Sequence, residues 1–157
     1  IQGYCFGVGL EFSLACDSRI VTKCAQLSLP EMKIGMIPGS GGSVRLARMI
    51  GLSRVKDMIM RGKRISGEES YNYGLASEVV EINELESATS NLVKELCLVS
   101  PLAQRAIKTV LNASQDAPLH VAIELEGETY GRLRSSSDFK EGVQSFVEKR
   151  KPVYTGK

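Results

Sequence analysis

The sequence is poor in several features that mark particular classes of protein. Its 157 residues include no tryptophan and a single histidine, and the formal net charge is only +2. So mild a charge does not favour a nucleic-acid-binding surface, which concentrates its basic residues. No apolar run reaches the ~18 residues of a membrane span, and the amino end lacks the basic region of a signal peptide. We therefore expect a soluble protein that partners neither nucleic acid nor membrane.

The four cysteines lack the spacing of a redox or metal motif. Cys5, Cys16, Cys24 and Cys97 form no C-x-x-C pair, and their apolar neighbours are typical of buried, reduced thiols. The lone histidine has no partner at metal-ligand spacing. We predict a protein without a metal site, in a reducing compartment such as the cytoplasm or an organelle matrix.

Two regions differ in their periodicity. Residues 1–82 are rich in glycine and short apolar runs, which predicts an α/β region with strands at 19–22, 26–28 and 78–82. Helices are expected at 10–16, 43–49 and 53–60, and a further helix begins at the capping box Ser66-x-x-Glu69. The chain opens at Ile1 in what reads as the tail of a buried strand, which is typical of a sequence that continues upstream.

Residues 83–157 have a helical pattern throughout. Pro101 and Pro118 favour helix starts, and a last helix is expected from Ser137 to about residue 150. The helix that begins near residue 83 carries an apolar stripe that should pack against other elements, formed by Leu85, Ala88, Leu92, Leu96 and Val99. Such a region could also make subunit contacts.

The loop Gly7-Val8-Gly9 precedes a helix whose first N–H groups have no intrahelical acceptor. Such a helix start attracts a phosphate, a carboxylate or an oxyanion that develops during a reaction. The alternative is a tight turn that only packs closely on its surroundings. A dinucleotide site is disfavoured, because Phe12 occupies the position of the third glycine in G-x-G-x-x-G.

Two glutamates are candidates for acid–base chemistry. Glu11 lies in the first turn of the helix, and its side chain leans back toward the glycine loop. Glu31 follows Pro30 in an apolar context. Each has a simple structural explanation, as a helix-stabilising acid and as a surface-turn residue. Placed together near a pocket that excludes water, two carboxylates can divide acid and base roles.

The order and spacing of several motifs resemble the crotonase (enoyl-CoA hydratase/isomerase) superfamily. The resemblance covers essentially the whole chain and corresponds to the carboxyl-terminal part of a typical member. The motifs that carry it are Gly3-Tyr4-Cys5-Phe6-Gly7-Val8-Gly9-Leu10-Glu11-Phe12, Ala15-Cys16-Asp17, Pro30-Glu31, Gly35, Ile37-Pro38-Gly39-Ser40-Gly41-Gly42, Gly62-Lys63-Arg64-Ile65-Ser66, Tyr73-Gly74-Leu75-Ala76, and Asp138-Phe139-Lys140-Glu141-Gly142 with Phe146-Val147-Glu148-Lys149-Arg150-Lys151-Pro152.

The resemblance implies a fold and an assembly. Residues 1–82 would form the later part of a crotonase-like ββα spiral with its active-site loops, and 83–157 a helical trimerisation region. A homotrimer or a hexamer is expected. The substrate would be an acyl-CoA thioester, with coenzyme A as part of the substrate and no separate cofactor or metal.

The resemblance also implies roles for individual residues. The Val8 amide would bind the thioester oxygen, and a second amide would come from a segment that precedes the matching part in family members. Glu11 would help deprotonate water, and Glu31 would protonate the α-carbon. The remaining expected substrate-binding residues are Gly7, Gly9, Pro30, Gly39, Phe146 and Lys149.

These implications predict a lyase, an enoyl-CoA hydratase that adds water to a trans-2-enoyl-CoA to give a 3-hydroxyacyl-CoA. The chain as it stands is expected to lack part of the site. One alternative is an enoyl-CoA isomerase or another crotonase-type acyl-CoA enzyme. A second is a non-catalytic or truncated crotonase-like assembly subunit.

Overall fold

The computed structural model describes all residues from Ile1 to Lys157. The chain divides into two compact units, Ile1–Ser90 and Asn91–Lys157. The division predicted from periodicity falls after residue 82, before the long helix in which the structural division lies. No helix is both long and apolar enough to cross a membrane.

The first unit combines short strands with short helices. Its strands are β1 (Tyr4–Phe6), β2 (Ile20–Thr22), β3 (Gln26–Ser28), β4 (Ile65–Ser66) and β5 (Glu78–Val80). Its helices are α1 (Val8–Leu14), α2 (Gly42–Ile50), α3 (Leu52–Arg61) and α4 (Gly67–Asn72). Two 3₁₀ helices span Glu31–Ile34 and Ile82–Glu84.

The strands form two separate sheets. The first has the order β1-β3-β4, with β1 parallel to β3 and β4 antiparallel to β3. The second pairs β2 with β5 in parallel. The chain therefore leaves the first sheet after β1, enters the second and returns at β3. This alternation agrees with the spiral architecture that the family resemblance implies.

The core of this unit lies between the first sheet and its helices. Leu10 and Leu14 of α1 lie four residues apart on one face, and both are buried with Leu27 at the centre of β3. The helix starts and ends two residues earlier than predicted. It starts at Val8 because Gly7, at a φ of 53°, turns the chain directly from β1 into the helix.

Helix boundaries set by local chemistry agree with the sequence. The Ser66 hydroxyl accepts a hydrogen bond from the Glu69 amide at 3.0 Å, and the Glu69 carboxylate accepts one from the Ser66 amide at 2.9 Å. This confirms the predicted capping box. Helices α2 and α3 end at Ile50 and Arg61, one residue beyond the predicted ends, and Gly51 and Gly62 follow as their C-caps.

Four longer helices follow, and the first of them spans the division between the units. They are α5 (Leu85–Cys97), α6 (Pro101–Ser114), α7 (Leu119–Arg134) and α8 (Ser137–Val147). The starts predicted at Pro101 and Ser137 are confirmed. Helix α8 ends three residues before the predicted end at residue 150.

Asp138 organises the carboxyl-terminal segment of the second unit. It is 3% exposed, accepts a hydrogen bond from the Ser100 hydroxyl at 2.6 Å, and accepts the Thr155 amide at 2.8 Å and the Gly156 amide at 3.1 Å. The Ser100 hydrogen bond, reinforced by these amides, lowers the pKa of Asp138 below its ordinary value. The last residues of the chain are thereby tied to the start of α8.

Two sequence-based expectations of burial are met only in part. The α5 stripe is half-buried at Leu92 and exposed at Leu96. All four thiols are free, but only Cys5 is buried, and burial raises its pKa. The other three, which lie just after β2 and near the ends of α1 and α5, are exposed: Cys16, Cys24 and Cys97.

Candidate active site

The glycine loop joins the first sheet to the start of α1. The Gly7 amide donates to the Ser28 carbonyl of β3 at 3.0 Å, and the Gly7 carbonyl accepts the Glu11 amide at 3.0 Å. Val8 is the first helical residue, so its own N–H has no acceptor within the helix. Its side chain is 70% exposed. The sheet thus holds the loop while the amide end of the helix stays open.

Glu11 is buried and held by a second loop. Its carboxylate oxygen Oε1 accepts the Ser40 amide at 2.8 Å and the Gly42 amide at 2.9 Å, and the residue is 3% exposed. A Cβ at Gly42 would lie only 2.7 Å from Glu11 Cγ. The close approach of this loop therefore depends on the missing side chain at Gly42.

The loop that holds Glu11 leads into α2. Gly41, at a φ of 91°, reverses the chain just before the helix and accepts the Arg45 amide at 3.0 Å. Such a φ strongly favours glycine. The glycine-rich loop thereby presents two N–H groups to one carboxylate oxygen of Glu11.

Glu31 approaches the start of α1 from another direction. It is the first residue of the 3₁₀ helix after Pro30, and Glu31 Oε1 lies 2.9 Å from the point where a Cβ of Gly7 would be. Its other oxygen, Oε2, is buried without a hydrogen-bond partner. A buried carboxylate oxygen without a partner is costly, so it marks a position where a water or a reactant group would be stabilised.

The structure therefore brings both predicted carboxylates to the same helix. Glu31 touches the residue before α1, and Glu11 lies in its first turn. The Glu11 carboxylate is fixed by two amides, whereas the Glu31 carboxylate has one oxygen without a hydrogen-bond partner. Together with the open amide at Val8, this arrangement offers a proton donor, a proton acceptor and a site for negative charge.

Comparison with known proteins identifies the family of the chain. The enoyl-CoA hydratase/isomerase family matches residues 1–157. The chain belongs to this family. An enoyl-CoA hydratase of Bacillus anthracis has a crystal structure that superposes with a TM-score of 0.96, at 38% identity over 99% of this chain and 60% of the other.

The curated relatives of this chain are named for more than one activity. A carnitinyl-CoA dehydratase of Salmonella paratyphi A is 36% identical over 166 residues, which cover all of this chain and 62% of the relative. YngF of Bacillus subtilis, provisionally named an enoyl-CoA hydratase/isomerase, is 36% identical over 99% of the chain and 60% of its own length. The chain thus spans about 60% of the curated relatives it matches.

The other predicted binding residues of this crotonase-family chain are placed as follows. Pro30 is half-buried beside Glu31, and Gly9 and Gly39 are exposed, with no atom within 4 Å of their Cβ positions. Phe146 and Lys149 lie in the second unit and are exposed. Their contacts with a substrate stay a prediction. No group of three or more side chains has the composition of a metal site.

Sequence reasoning missed two contributors to the crotonase-type site. Ser40 and Gly42 act through their backbone amides, which every non-proline residue carries, so their side chains give no direct signal. The glycines around them were the only indication. Glycine at a close backbone approach is a known use of that residue.

Proposed function

We propose that the protein containing this chain is an enoyl-CoA hydratase that adds water to a trans-2-enoyl-CoA. The observation that carries the proposal is the convergence of two glutamates on the start of α1: Glu31 against Gly7, and Glu11 in the first turn. Hydration needs a base for water and an acid for the α-carbon. A site with two carboxylates and an open helix start supplies both.

In the proposed reaction, Glu11 Oε2 accepts a proton from water, because Oε1 is already engaged by two amides. The water oxygen bonds to the β-carbon, and the electron pair of the double bond moves toward the thioester carbonyl. The Val8 N–H binds that oxygen as negative charge develops. Glu31, which enters the cycle as the carboxylic acid, then delivers the proton of its unpartnered Oε2 to the α-carbon and becomes a carboxylate. Glu11 is left protonated, and release of its proton to solvent with uptake of one by Glu31 restores both groups for the next turnover. Water is the only co-reactant, so no metal or redox cofactor is required.

The names of the relatives agree with this reaction class. Hydratase and dehydratase describe the two directions of one water addition, and both words occur among the similar proteins. An assembly of three or six copies, expected from the resemblance, is part of the proposal and is testable by sedimentation of the complete polypeptide.

The proposal is tested with the complete polypeptide that carries these residues. Glu11→Gln and Glu31→Gln should each lower the rate of crotonyl-CoA hydration by roughly 10²- to 10⁴-fold, the usual contribution of general acid–base catalysis. Glu78→Gln, an exposed change in β5, is the matched control and should leave the rate unchanged. Wild-type rates in both site variants would refute the assignment.

A second assay separates hydration from isomerisation. The same preparations are offered a 3-enoyl-CoA and a 2-enoyl-CoA, and the products are separated chromatographically. A hydratase forms the 3-hydroxyacyl product from the 2-enoyl thioester. Conversion of only the 3-enoyl substrate, without water addition, would identify an isomerase instead.

A further inference from the structure

Arg45 occupies an unfavourable place for a cation in its own helix. It lies in the first turn of α2, where the positive end of the helix dipole disfavours a positive charge. The side chain turns back toward the preceding loop, and its Nη1 donates to the Ser40 carbonyl at 2.8 Å. The Arg45 side chain therefore stabilises the preceding loop rather than the helix to which it belongs.

The bonds of Arg45 and Glu11 alternate along one short turn. The amides of Ser40 and Gly42 donate to Glu11 Oε1, the Ser40 carbonyl accepts the Arg45 guanidinium, and the Gly41 carbonyl accepts the Arg45 backbone amide. The Ser40 carbonyl belongs to the planar Ser40–Gly41 peptide unit, which lies between the two donor amides, so the guanidinium hydrogen bond restricts the orientation of the peptide that links them. Arg45 thus holds one side of the turn while Glu11 is held on the other.

Gly41 makes this contact possible. Its φ of 91° strongly favours glycine, and a Cβ there would collide with the Arg45 guanidinium group. The guanidinium therefore lies directly against the turn. A loop of this length, with glycines at positions 39, 41 and 42, would otherwise have considerable backbone freedom.

We propose that Arg45 is a positioning residue for Glu11, which fixes the Ser40–Gly42 turn so that both amides stay aimed at the carboxylate. The inference rests on the proposed function, because it takes Glu11 as the base. Arg45 itself touches neither reactant nor carboxylate in this role. Its effect on the reaction passes entirely through the turn.

The variants are Arg45→Met, which keeps much of the side-chain length without its donors, and Arg45→Lys, which keeps a cationic donor. Arg61→Met is the matched control, since Arg61 is also an exposed helix arginine with a hydrogen bond, to Asp57 at 2.6 Å. All are made in the complete polypeptide. Circular dichroism and sedimentation identify folded variants, and Arg45→Lys serves as the probe if Arg45→Met does not fold.

For Arg45→Met we expect kcat to fall about three- to tenfold, the scale of one exposed hydrogen bond, with KM changed less than about twofold. Arg45→Lys should recover part of the rate. Amide exchange at Ser40 and Gly42 should accelerate in Arg45→Met and stay unchanged in Arg61→Met.

A double-mutant cycle with Glu11→Gln tests whether the effect passes through Glu11. In that background, Arg45→Met should cause little further loss of kcat. An equal loss in both backgrounds, or wild-type exchange and kcat in the folded Arg45 variant, would overturn the inference while leaving the hydratase proposal intact. A wild-type rate for Glu11→Gln alone would instead remove Glu11 as the base, and the role of Arg45 with it.

Discussion

Glu31 and Gly7 are fitted to each other. The Glu31 carboxylate lies where the side chain of any other residue at position 7 would begin, with Oε1 2.9 Å from the Cβ position. Gly7 also has a φ of 53° and a ψ of −125°, a conformation that L side chains rarely adopt. Backbone conformation and the approach of the carboxylate therefore impose the same residue.

Gly7→Ala should disturb both the fold and the candidate site. The strained backbone should cost about 1–3 kcal/mol of unfolding free energy. The added methyl group should also displace the Glu31 carboxylate, so hydration of crotonyl-CoA should fall at least tenfold. Urea denaturation and steady-state kinetics measure the two effects.

The control for that change is Gly127→Ala in α7. Gly127 has an ordinary helical φ and no atom within 4 Å of its Cβ position. Alanine in the interior of an exposed helix should stabilise the protein by about 0.5–1 kcal/mol. If Gly7→Ala matched this control in stability and rate, the fit between Gly7 and Glu31 would have no consequence.

Gly42→Ala should impair Glu11 without a strained backbone. A Cβ at position 42 would lie 2.7 Å from Glu11 Cγ, so the side chain must leave its two amide donors. We expect a loss of kcat of about 10²-fold or more, with a destabilisation of about 1–3 kcal/mol from broken buried hydrogen bonds. Ser43→Ala, one residue further into α2, should change neither quantity. Equal kcat in both variants would contradict the role given to the loop.

The carboxyl-terminal segment should respond to acid. Hydrogen bonds from Arg150, at 2.6 Å and 2.9 Å, with the Val153 amide, lower the pKa of Glu141 from 4.5 to about 2. The pKa of Glu148 is also lowered, first by the hydrogen bond that its carboxylate accepts from the Gln144 side chain at 2.8 Å and then by the one from Arg150 at 2.6 Å. Because the folded-state pKa values of these two carboxyl groups are depressed, the stability that the groups contribute is fully present above their unfolded-state pKa. It is lost as the pH falls from that value through the folded-state pKa.

Amide exchange at Val153 should therefore accelerate as the pH falls from about 4.5 toward 2, once the intrinsic pH dependence of exchange is removed. Glu141→Gln should give fast exchange already at neutral pH and a flatter profile. Glu124→Gln, an exposed change in α7, should behave as the wild type. A Glu141→Gln profile identical to the wild type would show that this ion pair does not hold the segment.

Ser66→Ala should destabilise the first unit through the start of α4. The change removes the side-chain acceptor of the Glu69 amide and with it half of the capping box. A loss of about 0.5–2 kcal/mol is expected in chemical denaturation. Ser66→Asp keeps an acceptor and should retain most of the stability. Equal losses in the two variants would show that the hydroxyl hydrogen bond is unimportant.

Local features of the fold were accessible from sequence because their causes lie within a few residues. The capping box at Ser66 and Glu69, and the glycine that ends α3, depend on neighbours along the chain. The burial of α5 was not accessible in the same way. An apolar stripe indicates that one face of a helix can pack, but whether another element covers that face depends on residues distant in the sequence.

In the candidate site, too, local features were accessible from the sequence and contacts between distant residues were not. The residue pattern by itself determined that an acid in a first helical turn follows a glycine loop, and that a second acid follows a proline. Only the tertiary structure placed the amides of Ser40 and Gly42 on Glu11, across separations of 29 and 31 residues, and set Glu31 against Gly7. Hydrogen bonds between such distant residues depend on how the intervening strands and helices return the chain, and no local spacing encodes that path.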